Sequence, residues 1–373
     1  MIPNGWQHCK LANFIALEYG KSLPISKRNN GCYFVYGSNG ITGSHDEALV
    51  KGPGIIIGRK GSAGSVVWAE NDFWPIDTTY FVRPRRDFNL KWLYLLLTHK
   101  NLERLNQTTG IPGLNRQHVL SLLIEVPPLP EQEKIAEILF NWDKTIEKTV
   151  RLIESKTKIK KTLMQQLLTG TLRFKEFVKI KFHKIELGEF LIPTPRPVPR
   201  PNSAYTALGI RSHGKGTFLK AVENPEAVMM DTLYEVKEDD LIVNITFAWE
   251  GAIAIVKKSD EGALVSHRFP TYTFNREIAI PEYFRHVIQT KRFVHELGLV
   301  SPGGAGRNRV MSKTDFLNIV VSIPSVDEQK KIAVVLNGID KEIELLGKKL
   351  EYLKTQKKGL MQKLLTGKIR VKV

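Results

Sequence analysis

Residues 127–173, PPLPEQEKIAEILFNWDKTIEKTVRLIESKTKIKKTLMQQLLTGTLR, return at 324–370 as PSVDEQKKIAVVLNGIDKEIELLGKKLEYLKTQKKGLMQKLLTGKIR. The offset is a constant 197 positions with no gap, and 22 of the 47 aligned positions are identical. Glu131-Gln132 matches Glu328-Gln329, Ile135-Ala136 matches Ile332-Ala333, Asp143-Lys144 matches Asp340-Lys341, and Leu167-Leu168-Thr169-Gly170 matches Leu364-Leu365-Thr366-Gly367. Chance does not hold such a register. The intervening stretches match far less well, so the chain pairs two near-constant elements with two variable ones, and one copy of each pair is half a molecule.

The repeated segment reads as a long helix. Alternate steps of four and three from Ile135 reach Leu139, Trp142, Ile146, Thr149, Ile153, Lys156, Lys160, Leu163 and Leu167, seven of ten apolar. The same steps from Ile332 reach Leu336, Ile339, Ile343, Leu346, Leu350, Leu353, Lys357, Leu360 and Leu364, nine of ten apolar. A seam recurring every 3.5 residues over about five heptads is the pattern of a coiled coil and not of a strand. Pro127, Pro128, Pro130 and Pro324 punctuate the starts, and Gly170 and Gly367 stand where a helix stops. Roughly 38 residues at about 1.5 Å each give a rod near 57 Å long.

Each copy begins acidic, with Glu131, Glu133 and Glu137 or Asp327 and Glu328, and ends basic, with Lys156, Lys158, Lys160 and Lys161 or Lys354, Lys357, Lys358 and Lys363. Antiparallel pairing sets each acidic start against a basic end and satisfies both helix dipoles. If paired residue numbers sum to about 500, the seam lysine Lys160 approaches Asp340, and Lys357 approaches Asp143 by symmetry. The alternative is that each lysine carries its ammonium past the seam to water.

With 373 residues the chain holds two or three domains, and 42% apolar content is ordinary for a globular protein. The net charge of +17 favours a polyanionic partner, nucleic acid or an anionic membrane surface. Cys9 and Cys32 are the only cysteines and fit neither a disulfide framework nor a zinc site, which favours a reducing compartment. No apolar run approaches the length of a spanning helix, and residues 1–10 lack a basic start and apolar core, so a cytoplasmic protein with no membrane contact is expected.

The regions before the two rods are mixed, and the fold class expected overall is α+β. In the first, Gly54-Ile55-Ile56-Ile57-Gly58, Ser65-Val66-Val67-Trp68 and Thr78-Thr79-Tyr80-Phe81-Val82 read as strands, followed by a helix over 90–105. In the second, Asp240-Leu241-Ile242-Val243-Asn244, Ala252-Ile253-Ala254-Ile255-Val256 and Pro270-Thr271-Tyr272-Thr273-Phe274 read as strands, followed by a helix over 281–297. The order is the same, counted from Trp6 in one half and Phe182 in the other. The second region is longer, partly through the proline-rich run at 193–201, which reads as an extended polyproline II surface loop.

Base reading needs Arg, Lys, Asn or Gln on loops able to enter a groove. One such loop is Thr108-Thr-Gly-Ile-Pro-Gly-Leu-Asn-Arg-Gln117, offering Asn115, Arg116 and Gln117; its counterpart, Ser301-Pro-Gly-Gly-Ala-Gly-Arg-Asn-Arg309, offers Arg307, Asn308 and Arg309. A second pair is the turn Gly58-Arg59-Lys60-Gly61 and the stretch Arg211-Ser-His-Gly-Lys215, with Arg59 and Lys60 in one and Arg211, His213 and Lys215 in the other. Arg83, Arg85, Arg86 and Arg268 supplement them. For each residue the competing reading is a solvated charge or a phosphate contact without sequence information.

Catalytic motifs are missing. There is no G-x-x-x-x-G-K-[ST], no Asn/Asp-Pro-Pro-Tyr/Phe tetrapeptide, and no His spacing suited to zinc. Asp231 with Glu235-Val236-Lys237 imitates a nuclease E-x-K, but its carboxylate lies too close in sequence.

These repeats, from the Pro-Leu-Pro-Glu-Gln-Glu-Lys-Ile-Ala start at 128–136 to the Leu-Met-Gln-Gln-Leu-Leu-Thr-Gly end at 163–170, together with the Gly5-Trp6 opening, resemble those of the specificity subunits of type I restriction-modification systems. The resemblance implies two target recognition domains, residues 1–127 and 174–324, separated by two long antiparallel coiled-coil helices, 128–173 and 325–373, in a pseudo-twofold internal repeat. Each recognition domain would read half of a split site in double-stranded DNA. The helices would set the spacer and dock two modification (methyltransferase) subunits, and restriction (translocase/nuclease) subunits would complete the complex. No cofactor is implied on this chain: S-adenosylmethionine, ATP and Mg belong to the partner subunits. Rods near 57 Å, against about 3.4 Å per base pair, allow a separation of at most ~17 base pairs. Three other readings stay open: the recognition subunit of a related system with a fused nuclease-methyltransferase partner, a coiled-coil scaffold, which leaves the +17 charge without a reason, and an enzyme with an unrecognised site.

Overall fold

In the computed structural model, which describes residues 3–106, 113–303 and 309–373, the two repeats are helices Leu129–Thr169 and Val326–Leu364. Pro130 falls in the first turn of one, where its missing N–H costs nothing. Gly170 and Gly367 follow the helix ends with φ of +75° and +67°, a left-handed cap that glycine adopts freely. Of the twenty seam positions reached by the 3.5-residue steps, none is exposed.

The chain divides into two compact units, Met1–Arg151 with Gly347–Val373, and Leu152–Leu346, so each holds one globular domain and a part of each long helix. In the first unit the Lys357 ammonium lies 2.5 Å from Asp143. In the second, Lys160 lies 2.6 Å from Asp340 and Lys156 2.9 Å from Glu342. The residue numbers of these pairs sum to about 500, so within each unit the helix segments run antiparallel, and both seam lysines are paired with the carboxylates rather than carried to water.

The repeated Glu-Gln pair has a structural reason. Glu131 is buried and takes two hydrogen bonds from the Arg370 guanidinium, at 2.7 and 2.8 Å, and one from the Trp6 indole at 3.0 Å. Burial alone would raise its pKa, but these donors outweigh burial and hold the carboxyl below the usual range. In the second unit Glu328 receives the Arg173 guanidinium, which lies over the Phe182 ring. The neighbouring glutamines clamp backbone: Gln132 accepts from Asn89 N–H and donates to the Pro127 carbonyl, and Gln329 accepts from Ile280 N–H and donates to the Pro324 and Ile278 carbonyls.

Both globular domains carry the same four-stranded antiparallel sheet. Its order is Ile15–Tyr19, Thr79–Pro84, Gly54–Gly58, Val66–Ala69 in one, and Leu191–Pro193, Thr271–Phe274, Leu241–Val243, Ile253–Ile255 in the other. A second sheet follows in each, with three strands in the first domain (Gly40–His45, Tyr33–Gly37, Phe73–Pro75) and five in the second. A short antiparallel pair, Gln7–Lys10 with Leu123–Val126 or His183–Glu186 with Val320–Ile323, leads into each long helix. The core of the first domain, around Trp92, Leu93 and Leu96, is continuous with Ile135, Leu139 and Leu364; that of the second, around Tyr283 and Phe284, is continuous with Leu167, Ile332 and Leu336.

Three elements differ from the sequence reading. Helix 90–105 ends at Lys100, where Asn101 turns left-handed with φ of +49°, and a short 3-10 turn, Leu102–Leu105, follows it. Helix 281–297 is broken into Pro281–Val287 and Lys291–Leu299, because the Thr290 side chain caps the second by accepting from Phe293 N–H. The proline run is not a free polyproline loop: Leu191–Pro193 and Pro197–Pro199 are strands, the latter on a sheet edge beside Thr232–Glu235, where residues lacking N–H are tolerated. Among the described residues no helix is long and apolar enough to cross a membrane.

Candidate nucleic-acid interface

In the first domain the connection 59–65 leaves the second of the two buried glycines that bracket Ile55, Ile56 and Ile57. Arg59 N–H donates to the Thr78 carbonyl, and the Arg59 carbonyl accepts from Leu114 N–H at 2.9 Å. Lys60 pairs with Gly113 in an isolated bridge. The loop leading into helix Arg116–Leu120 is thus fastened to the strand connection, and Tyr80 adds a hydrogen bond from its hydroxyl to the Leu114 carbonyl at 3.0 Å. Burial, with Tyr19 beside it, raises the pKa of that phenol, so it stays a donor at neutral pH. The Arg59 and Arg116 guanidiniums both lie over the exposed Tyr19 ring, 5.4 and 5.3 Å from its centre. Asn115 caps the helix, accepting from Gln117 N–H, so its oxygen has a structural task; the Lys60 and Gln117 side chains are exposed.

In the second domain the equivalent connection is 244–252, and its Ile245 carbonyl accepts from Met311 N–H at 2.8 Å, as Arg59 does from Leu114. Leu114 and Met311 stand 197 positions apart, each just before a short helix, Arg116–Leu120 or Lys313–Leu317. Around this connection lie Arg309, whose guanidinium is 5.4 Å from the Trp249 ring centre; Arg268, whose carbonyl accepts from Ile245 N–H; and His213, whose N–H donates to the Glu250 carbonyl at 2.7 Å. His213 and the following Gly214 are both left-handed, with φ of +62° and +64°. The Glu250 carboxylate accepts from Ser212, and Phe247 is exposed. Arg211 donates to the Thr217 carbonyl and lies over Phe218, while Lys215 projects into solvent. Arg307 and Asn308 lie outside the described residues.

The structure therefore corrects one pairing and places three residues apart from the loop cluster. The stretch 211–215 is not the counterpart of 58–61: it turns the hairpin Tyr205–Ile210 with Thr217–Val222, whose equivalent is the hairpin Tyr33–Gly37 with Gly40–His45. It reaches the site only because it packs beside connection 244–252. Arg83, Arg85 and Arg86 stand towards the opposite end of strand Thr79–Pro84 from Arg59, where Arg83 is paired with Glu18 at 2.8 Å, Arg85 donates to the Ala12 carbonyl, and Arg86 lies over Phe14. Sequence reading missed Tyr19, Tyr80, Phe247, Trp249 and Glu250. The run Asn244-Ile-Thr-Phe-Ala-Trp-Glu-Gly251 carried a usable signal, two aromatics in a short turn; Tyr19 carried none. Among the described residues no group of three His, Cys, Asp or Glu could hold a metal.

The family model for the type I restriction modification DNA specificity domain matches residues 3–157 and 221–355. The chain belongs to that family. It is similar to the type I restriction enzyme MjaVIII specificity subunit of Methanocaldococcus jannaschii, 26% identical with 100% of this chain and 94% of the relative covered. It is also similar to the putative MjaX specificity subunit of the same organism, 27% identical over 80% of this chain and 69% of that protein. The crystal structure of a type I restriction-modification S subunit from M. genitalium superposes with a TM-score of 0.67 at 17% identity, over 98% of this chain and 96% of that one, and shows the shared fold. As a member of the family the protein is a DNA specificity subunit with two recognition domains, and recognition rather than catalysis is its task.

Proposed function

We propose that each recognition domain, 1–127 and 174–324, reads one half of a bipartite site in double-stranded DNA through the loops gathered at connections 59–65 and 244–252, while the helices 128–173 and 325–373 set the unread spacer and dock two methyltransferase subunits. Restriction subunits complete the assembly, which works in the cytoplasm. The carrying observation is the recurrence of one construction in both domains: a strand connection hydrogen-bonded to the loop before a short helix, with an arginine lying on an aromatic ring beside it. A scaffold has no use for an arginine set on an aromatic ring at the same place in both domains, and a net charge of +17 fits a duplex.

The test is methylome sequencing of a host that expresses this chain with its modification subunits. A motif of two defined halves around a fixed run of unread bases is the expected result. A contiguous motif, or none, overturns the reading.

A further inference from the structure

Among the basic residues at the two sites, Arg116 and Arg309 are distinguished by what holds them and by what they leave free. An arginine face laid on an aromatic ring is held by the ring quadrupole, and its N–H donors then point outward in a fixed plane. Arg116 lies on Tyr19, and its one hydrogen bond is a marginal contact of 3.5 Å from Nη1 to the Leu17 carbonyl, so the fork made by Nε and Nη2 has no acceptor among the described residues. Arg309 lies on Trp249 with no side-chain hydrogen bond among them. Neither guanidinium has a carboxylate within ion-pairing distance among the described residues. Arg59 differs: Nε and Nη2 both donate to the Asp77 carbonyl, at 3.0 and 2.7 Å, which leaves it a fixed charge with its side-on fork occupied. Arg211, over Phe218, is held by a full hydrogen bond from Nη1 to the Thr217 carbonyl at 2.6 Å and keeps its Nε–Nη2 edge, but it sits in the hairpin turn of the second domain and not in the construction that recurs in both.

A free planar fork of fixed orientation matches two acceptors side by side, which in the major groove means O6 and N7 of guanine. A phosphate contact needs no such orientation, and Lys60 and Arg59 already supply charge for the backbone in the first domain. We propose that Arg116 and Arg309 are the guanine-reading residues of the two recognition domains, and that Tyr19 and Trp249 are the positioning residues that fix their planes. Each half-site then contains a guanine read by one of them. This rests on the DNA-reading function proposed above.

The experiment uses the chain assembled with its modification subunits. Once the methylated motif is known, binding is measured on duplexes of that motif in which each guanine in turn is replaced by 7-deazaguanine, which lacks the N7 acceptor. With the unaltered chain, one guanine in each half responds with a loss of about tenfold, within the range of a good bidentate contact. Arg116→Ala abolishes that response in one half and leaves the other intact; Arg309→Ala does the reverse. Tyr19→Leu reproduces the Arg116→Ala pattern, and Tyr19→Phe, which keeps the ring, restores the response. The surviving response of the second half shows that the variant is folded. A half-site without guanine, an N7 response that persists in Arg116→Ala, or a uniform loss on every sequence with a shallower salt slope overturns the inference. Failure of the underlying function is distinguishable, because the unaltered chain would then direct no bipartite methylation.

Discussion

At the residue scale, the seam lysines Lys160 and Lys357 show how a charge survives at an apolar position. Each is largely buried, and each meets an aspartate of the facing helix segment, Asp340 or Asp143, at 2.6 or 2.5 Å. Partial burial raises such a pair above an exposed one such as Lys134–Glu137, for which a few tenths of a kcal/mol is usual. A double-mutant cycle of Lys160→Met and Asp340→Asn is expected to return a coupling of about 1 kcal/mol; a coupling no larger than that of Lys134–Glu137 would mean that the lysine is merely solvated. His286 packs beside this pair, fully buried, with Nε2 2.9 Å from Asn337 Oδ1 and Nδ1 4.0 Å from Asp340. Burial, reinforced by the charges of Lys160 and Arg285 and opposed by Asn337 and Asp340, lowers its pKa to about 4. An unfolded chain binds that proton near pH 6.5, so stability falls as pH drops from about 6.5 towards 4, by about 2 kcal/mol between pH 7.5 and 5. Denaturant unfolding at those two pH values should show the loss, and His286→Gln should remove it. The first repeat places Leu95 at the equivalent position, counting from the backbone donors Asn89 and Ile280 that meet the repeated glutamines. The titratable group therefore belongs to one half of the molecule, and nothing in the repeat pattern announced it.

At the element scale, the long helices were legible because one geometry imposes one period: a 3.5-residue seam leaves a trace at every turn, and no position on it is exposed. The strands Gly54–Gly58 and Leu241–Val243 were legible for a related reason, since both faces are buried and the run is continuously apolar. Strand Gly40–His45 was not, because Gly-Ile-Thr-Gly-Ser-His on an exposed sheet edge has no alternation to read. The sites were half legible. Basic loops announce themselves by composition, but the aromatic supports come from elsewhere in the chain, Tyr19 from a strand nearly a hundred residues before Arg116, and only the fold brings them under the arginines. That Arg83, Arg85 and Arg86 lie away from the Arg59 loop was not legible, because charge density in sequence says nothing about which end of a strand it occupies. A prediction follows from the helices as elements. Removing one turn from both should shorten the unread spacer by one or two base pairs, at about 1.5 Å per residue against about 3.4 Å per base pair, and leave each half-site unchanged. Methylome sequencing reads both quantities, and an altered half-site would refute the role of the helices as a ruler.

At the scale of the whole molecule, +17 is spread over a chain whose proposed partner is a polyanion, and the affinity of the assembled complex for its motif should fall steeply with salt. Six to ten phosphate contacts correspond to a loss of about 10³–10⁵ between 50 and 200 mM salt; a flat response would favour the scaffold reading. The joints between constant helices and variable domains carry a further consequence. Among the described residues the side-chain hydrogen bonds of Gln132 to the first domain go to the Asn89 N–H and the Pro127 carbonyl, and those of Gln329 to the second go to the Ile280 N–H and the Ile278 and Pro324 carbonyls. Backbone atoms are supplied by any sequence of the same fold, so the clamp places almost no demand on domain side chains. Domain side chains that the helices do meet are the core residues already described, such as Trp92 and Leu96 or Tyr283 and Phe284, and the ring at the domain's start, Trp6 beneath Arg370 or Phe182 beneath Arg173, which differs between the two. Replacing residues 1–127 by the corresponding domain of another family member that has an aromatic residue at that position should therefore give a folded subunit whose methylated motif changes in one half only. Gln132→Leu in the same hybrid leaves the backbone N–H and carbonyl that stand in place of those of Asn89 and Pro127 without their partner and should cost about 1–3 kcal/mol, seen as a lower unfolding midpoint with the motif unchanged. A hybrid in which both halves of the motif change would show that the reading of one domain depends on the other, and the modular account would fail.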